Sequence, residues 1–235
     1  YKTFDPELNV LAFVTAFIGQ ELLDYPKYGS IQYHPSLLPK HRGGSAINWA
    51  IIKGDTRTGL TIFWPDQGWD TGPILLQKEV EIGPDDTVGS LYFNKLFPLG
   101  VEAIVESVKL IKEGKAPKIP QDLSQGEHED LCSKMVIDWN DPIDQVYNAI
   151  RGSNPSPGAE TTYKGGVIKI FDCEKRKEGA KAEPGTITEV SESGFLVAGN
   201  GGSIFVKRLQ PKGQPKVKAP EFMAAAGVQV GDRLG

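Results

Sequence analysis

Gln32 and His34 stand two residues apart at the end of the run Ser30-Ile31-Gln32-Tyr33-His34, with Pro35 directly after them. The run reads as a β-strand, so the two side chains share one face, and Pro35 ends its ladder of backbone hydrogen bonds. Ligands of open α/β sheets bind beyond the carboxyl ends of strands. An amide and an imidazole placed there can respectively polarise a carbonyl and move a proton. Asp70 lies in Gln67-Gly68-Trp69-Asp70-Thr71-Gly72-Pro73, a glycine-flanked turn between two strands. A carboxylate in that turn could orient and charge His34, as the third member of an acid–base constellation does. Each residue also has a plainer reading: a strand-end histidine can be structural, and a turn aspartate can cap its own backbone.

The elements that must position these residues alternate in the first half of the chain. The apolar run 9–14 reads as a strand buried on both faces of a parallel sheet, and 21–24 as a short helix. Residues 36–44 read as a loop, 46–53 as a helix, and 60–64 and 74–80 as strands. In the stretch 86–113, Val101, Ile104, Val105, Val108 and Ile111 recur at helical spacing, which predicts one buried stripe, with Pro98 kinking or breaking the helix. A linker with Pro117 and Pro120 follows, from 114 to about 134. Beyond it the texture changes to a helix over 142–150 and short strands at 166–172, 185–190, 194–198 and 203–209. Such strands with Gly-rich turns predict a small antiparallel barrel or sandwich. The expected organisation is an α/β domain over 1–130 and a β-rich domain over 131–235. Because an open parallel sheet seldom starts with a strand like 9–14, the first domain is expected to begin before Tyr1.

Composition narrows the function classes. The chain has 235 residues and a net charge of −4, which argues against indiscriminate nucleic-acid binding. The charge is uneven: residues 1–130 hold 12 Lys and Arg against 18 Asp and Glu, a balance of −6, while 131–235 hold 14 against 12, a balance of +2. The mildly basic second half suits either an acidic partner or a randomly uneven surface. No apolar run has the length of a membrane span, and the start lacks the order of a signal peptide. Two distant cysteines, Cys132 and Cys173, point to a reducing, cytoplasmic setting. With three histidines and no cysteine cluster, no metal is expected.

The segment Tyr33-His34-Pro35-Ser36-Leu37-Leu38-Pro39-Lys40-His41-Arg42-Gly43, followed by Asp70-Thr71-Gly72-Pro73-Ile74-Leu75, resembles the formyltransferase family that uses 10-formyltetrahydrofolate. The likeness runs from about Asp5 through Pro120. It implies a Rossmann-like formyltransferase sheet that lacks its N-terminal strands here, followed by a small OB-like β-barrel. It also implies catalytic roles for His34 and Asp70. His34 would handle the proton and steady the developing oxyanion, while Asp70 keeps His34 charged and orders a proton-relaying water. The folate pocket would fall on Ala16, Phe17 and Ile18, on the loop Ser36, Leu37, Leu38 and Pro39, and on the backbone leading into Asp70. Arg42 could meet a polyanionic substrate or simply lie at the surface.

One position departs from the family pattern. Its transferases carry Asn two residues before the histidine, where this chain has Gln32; the hydrolase domain of the family's dehydrogenases carries an apolar residue. Gln keeps an amide donor but adds a methylene, and a lost oxyanion donor costs ~10²–10³ in rate. Ser45-Ala46-Ile47-Asn48-Trp49 and Lys112-Glu113-Gly114-Lys115-Ala116-Pro117 look like that hydrolase domain. Leu209-Gln210-Pro211-Lys212-Gly213 and Gly231-Asp232-Arg233-Leu234-Gly235 are similar to methionyl-tRNA formyltransferase. The expected reaction is therefore formyl transfer from 10-formyltetrahydrofolate to an amine, foremost that of methionyl-tRNA with initiator tRNA as partner. Hydrolysis to tetrahydrofolate and formate, N-formylation of a sugar nucleotide, and a non-catalytic folate-binding role stand as alternatives.

Overall fold

A computed structural model describes residues 1–14, 16–177 and 181–235. The chain forms two compact units, one of residues 1–50, 55–84 and 90–131, the other of 51–54, 85–89 and 132–235.

The first unit is built on a four-stranded sheet in the order β1-β2-β3-β4, namely Asn9–Leu11, Ser30–His34, Arg57–Phe63 and Ile74–Glu81. Between β1 and β2 runs the short helix α1 (Gln20–Asp24), and between β2 and β3 runs α2 (Ala46–Ile52). Only β1 and β2 are parallel; β2–β3 and β3–β4 are antiparallel. The strand expected at 9–14 is parallel to its neighbour as read, but it is three residues long and only partly buried, not covered on both faces. Apolar residues alone do not distinguish a central strand from an edge one, because cover comes from other segments. Within β3, Thr58 to Phe63 are all buried, whereas β4 alternates between its inward and outward faces.

The expected helix over 86–113 is composite. A single turn α3 (Val88–Leu91) runs into a π-helical stretch at Tyr92–Leu96 and then into α4 (Phe97–Lys112). Pro98 lies in the first turn of α4, where its missing N–H costs nothing, so it opens that helix instead of breaking it. The buried face of α4 is Gly100, Ala103, Ser107 and Ile111. Ile104 and Val108 pack beside the core of Ile31, Leu60, Ile62 and Leu75, but Val101 and Val105 are exposed. The predicted stripe is rotated, since small residues let the helix approach the sheet closely and push the larger β-branched ones outward.

The second unit carries a sheet in the order β5-β6-β7-β10-β9-β8, with β11 paired to β10. Its strands are Met135–Val136, Ala159–Tyr163, Gly166–Arg176, Ile187–Ser191, Gly194–Gly199, Gly202–Pro211 and Val217–Lys218, in chain order β5 to β11. The helices α5 (Ile143–Arg151) and α6 (Ala219–Ala226) flank it. All of its pairs are antiparallel except β5–β6. No ladder among the described residues joins the two ends of this path, so no closed barrel is found and the expected OB-like barrel is not confirmed. Only isolated bridges, Tyr163 with Leu234 and Thr186 with Arg233, approach closure. No helix of the described residues is long and apolar enough to cross a membrane.

Candidate active site

Strand β2 delivers Gln32 and His34 to its carboxyl end, opposite Phe63 and Thr61 of β3. His34 is buried, and its Nε2 lies 2.8 Å from the backbone carbonyl oxygen of His41. A carbonyl only accepts, so Nε2 carries the hydrogen and donates. The other ring nitrogen, Nδ1, lies 3.5 Å from Oδ2 of Asp70. Burial pushes the His34 imidazole below its ordinary value; the Asp70 carboxylate and the bond to the His41 carbonyl oppose that shift. At neutral pH the ring is therefore poised to take a proton at Nδ1, where Asp70 would stabilise the resulting charge.

Asp70 holds its place against a backbone preference. Its φ is 54°, in the left-handed region that costs a non-glycine residue energy. Several hydrogen bonds fix it there. Gly43 N–H donates to Oδ2 at 2.8 Å. The Gln121 amide donates to the carbonyls of Asp70 at 3.0 Å and Gly72 at 2.7 Å. In the same turn, Asp66 accepts from Gly68 N–H at 3.0 Å and from the Thr71 hydroxyl at 2.7 Å. Gly72 has no room for a side chain, since a Cβ would fall 1.8 Å from the Trp64 carbonyl oxygen.

His34 and Asp70 open into a cavity of about 620 Å³ in the first unit, within the range of small-molecule sites. Leu11, Phe13, Phe17, Ile18 and Leu23 give it an apolar wall, Gln32, His34 and Asp70 are among its polar groups, and Trp69 with His128, Glu129, Asp130 and Leu131 forms another side. Of the residues predicted to hold a ligand, Ala16, Phe17, Ile18 and Asp70 line this cavity, as does Gln32. Ser36, Leu37, Leu38 and Pro39 do not. Their loop turns away from the cavity and lies across β3. The Thr61 hydroxyl donates to the Ser36 carbonyl at 2.7 Å and accepts from Leu38 N–H at 3.1 Å, while Gln77 donates to the Leu38 carbonyl at 2.9 Å. Arg42 is half-buried, its guanidinium 3.4 Å from the Gly126 carbonyl and outside the cavity lining. Sequence reasoning missed Gln121 and residues 128–131, which carry no motif and reach the site from the segment read as linker.

Two family models match the chain, "Formyl transferase" over residues 1–108 and "Formyl transferase, C-terminal domain" over residues 133–227. The mitochondrial 10-formyltetrahydrofolate dehydrogenase of Mus musculus is 40% identical over 98% of this chain, which spans 26% of that protein. Methionyl-tRNA formyltransferase of Bacillus mycoides is also 40% identical over 98% of this chain, which here covers 74% of the relative. Among solved structures, HypX from Aquifex aeolicus in complex with tetrahydrofolic acid has a TM-score of 0.80 at 20% identity, over 97% of this chain and 40% of that one; this likeness is one of fold. The chain belongs to the formyl transferase family. It spans about a quarter of the length of the dehydrogenases it matches.

Proposed function

We propose that the protein transfers the formyl group of 10-formyltetrahydrofolate to an amine, with the amino group of methionyl-tRNA as acceptor and the cytosol as its compartment. The observation that carries this reading is the His34 Nδ1–Asp70 Oδ2 approach of 3.5 Å in the lining of a cavity that Gln32 also lines. The amine attacks the formyl carbon and the bond from that carbon to N10 of the folate breaks. His34 Nδ1 takes the proton lost by the amine and returns it to N10. Asp70 stabilises the imidazolium in between. Gln32 lines the same cavity, and its amide would supply the donor for charge developing on the formyl oxygen. The apolar wall of Phe13, Phe17 and Ile18 suits the flat pterin and benzoyl rings of the folate.

The choice of acceptor rests on the methionyl-tRNA formyltransferase likeness across most of that relative's length. Lys207, Arg208, Lys216 and Lys218, which gather around one concavity of the second unit, support it as groups able to meet phosphates. Asp172, Glu192 and Glu221 share that concavity, so the surface would favour a shaped contact over general polyanion binding.

A second reading, hydrolysis of 10-formyltetrahydrofolate to formate, is favoured by the equal identity to the dehydrogenases and by Gln32 standing where the family's transferases carry Asn. The test is full-length protein with 10-formyltetrahydrofolate and, in turn, methionyl-tRNA, an amino-sugar nucleotide or no acceptor. The expected outcome is formylmethionyl-tRNA with little formate. Formate released at one rate whatever the acceptor would replace transfer by hydrolysis.

A further inference from the structure

His41 is a buried titratable residue that the proposed chemistry leaves unused. Its ring lies between two carboxylates, with Nε2 2.8 Å from Oδ2 of Asp55 and Nδ1 3.2 Å from Oε1 of Glu129. Carboxylate oxygens only accept, so the arrangement is satisfied when both ring nitrogens donate. The three residues come from three separated segments of the first unit: the loop after β2, the approach to β3 and the segment past residue 125. The backbone at His41 is itself held in the left-handed region, with φ of 51°, which a non-glycine residue keeps only where its surroundings over-determine it.

The backbone attached to this ring touches both members of the candidate catalytic pair. The His41 carbonyl accepts from His34 Nε2 at 2.8 Å, and two residues on, Gly43 N–H donates to Asp70 Oδ2 at 2.8 Å. Between them, Arg42 N–H donates to the Glu127 carbonyl at 3.1 Å and the Arg42 carbonyl accepts from Glu129 N–H at 2.8 Å. Gly43 has φ of 106°, and a Cβ there would fall 2.5 Å from the Glu129 carbonyl oxygen. Residues 41–43 therefore form a short rigid bar. One end fixes the tautomer of His34 and the other fixes the rotamer of Asp70. At the His34 end of the bar, the His41 side chain is the anchor, through its contacts to the Asp55 and Glu129 carboxylates.

We propose that His41, gripped by Asp55 and Glu129, is a positioning residue that sets the His34–Asp70 distance and keeps the hydrogen of His34 on Nε2. A ring serving only to fill space would not need two carboxylates on its two nitrogens, nor sit on the residue whose carbonyl binds His34. This rests on the functional reading above for its consequence in catalysis, but not for its geometry, so the test reads the two separately.

The experiment uses full-length protein labelled with ¹⁵N at histidine and three variants. Asp55→Ala removes one grip at a partly exposed side chain, Asp55→Asn restores an acceptor there, and Glu129→Gln keeps the size of the other grip. In the wild type, the His34 ring is expected to show a protonated Nε2 in slow exchange with solvent. In Asp55→Ala this exchange should speed at least tenfold and kcat for formyl-folate should fall about tenfold or more, with KM for the folate within about twofold, as misplacement of a reacting group does. Asp55→Asn should return both readouts most of the way, and Glu129→Gln should fall between. Unchanged His34 resonances and exchange in folded Asp55→Ala would overturn the proposal, whatever the activity. A fall in melting temperature with kcat and His34 exchange untouched would overturn it too, leaving His41 a stabilising residue only. If the His34 readouts respond as expected while wild-type protein consumes no formyl-folate, the positioning role stands and the functional reading fails.

Discussion

The two units spend their buried volume differently. In the second, twenty buried residues among those described, from Ile137 to Leu234, form one continuous apolar cluster, with Ile150, Ile170, Phe195, Ile204 and Leu209 fully enclosed. In the first, among the described residues, the corresponding cluster has six members, while nine residues of the unit, His34, His41 and Glu129 among them, are buried polar or charged groups. Among the described residues, four of the five non-glycine residues at positive φ, Asp5, Phe13, His41 and Asp70, also lie in the first unit. Apolar packing is tolerant and non-directional, whereas a buried polar network is satisfied in one arrangement only. One unit is thus organised for stability and the other for exact placement of a few polar atoms at the expense of some backbone strain.

That contrast can be broken by substitutions with opposite signatures. The largest effect is expected for Asp70→Asn, which keeps an oxygen for Gly43 N–H but removes the charge beside His34. Turnover should fall roughly 10³-fold or more, with the melting temperature nearly unchanged; a small loss would remove Asp70 from the mechanism. Ile204→Ala, at a fully buried position of β10, should do the reverse. It should lower stability by about 2–5 kcal/mol while kcat, measured well below the melting transition, stays as it was. A matching loss of kcat there would show that the second unit is no mere scaffold.

Gln32→Ile comes next: transfer to methionyl-tRNA is expected to drop about 10²-fold, the value of one oxyanion donor, with folate binding kept. Gln32→Asn should hold or raise the rate. Transfer untouched by Gln32→Ile in a folded enzyme would make Gln32 a packing residue.

The smallest effect is a pH slope. His34 sits below its ordinary value of 6.5 in the folded chain, chiefly through burial. As pH falls below that value the unfolded state takes up this proton first. The stability contributed by the neutral buried ring is therefore present above about pH 6.5 and lost as pH drops toward the folded value. Melting curves from about pH 7.5 to about pH 5.5 should show a steeper loss in the wild type than in His34→Gln. Equal slopes would mean that burial does not hold the His34 ring neutral.

Much of the site was legible because local rules reach it. The i and i+2 relation places Gln32 and His34 on one cavity face, and the glycine-flanked turn brings Asp70 to it. The strand Ser30–His34 ends where Pro35 says it should. The failures have a common cause in long-range packing. Leu37 and Leu38 belong to the motif yet lie across β3, because Thr61, far along the chain, binds both sides of their loop. Gln121 and Glu129 sit in a segment whose polar texture reads as linker, and only the fold shows that it returns to the site. Strand β6, helix α6 and the open path of the second sheet were likewise invisible to short-range patterning. The rotated stripe of α4 shows that periodicity gives a face but that the bulk of its neighbours chooses which one.

The Asp70 turn and the 41–43 bar are both tied down by residues 121–129. During synthesis, His34 and Asp70 leave the ribosome well before those residues do. The nascent protein thus passes through a stage in which both reactive groups are present but the supports from residues 121–129 are not yet in place. Competence should arrive late, when Glu129 has emerged and can close on His41. Stalled nascent chains ending near residue 118 should therefore carry a loosely ordered pair, and chains that expose residue 130 a fixed one.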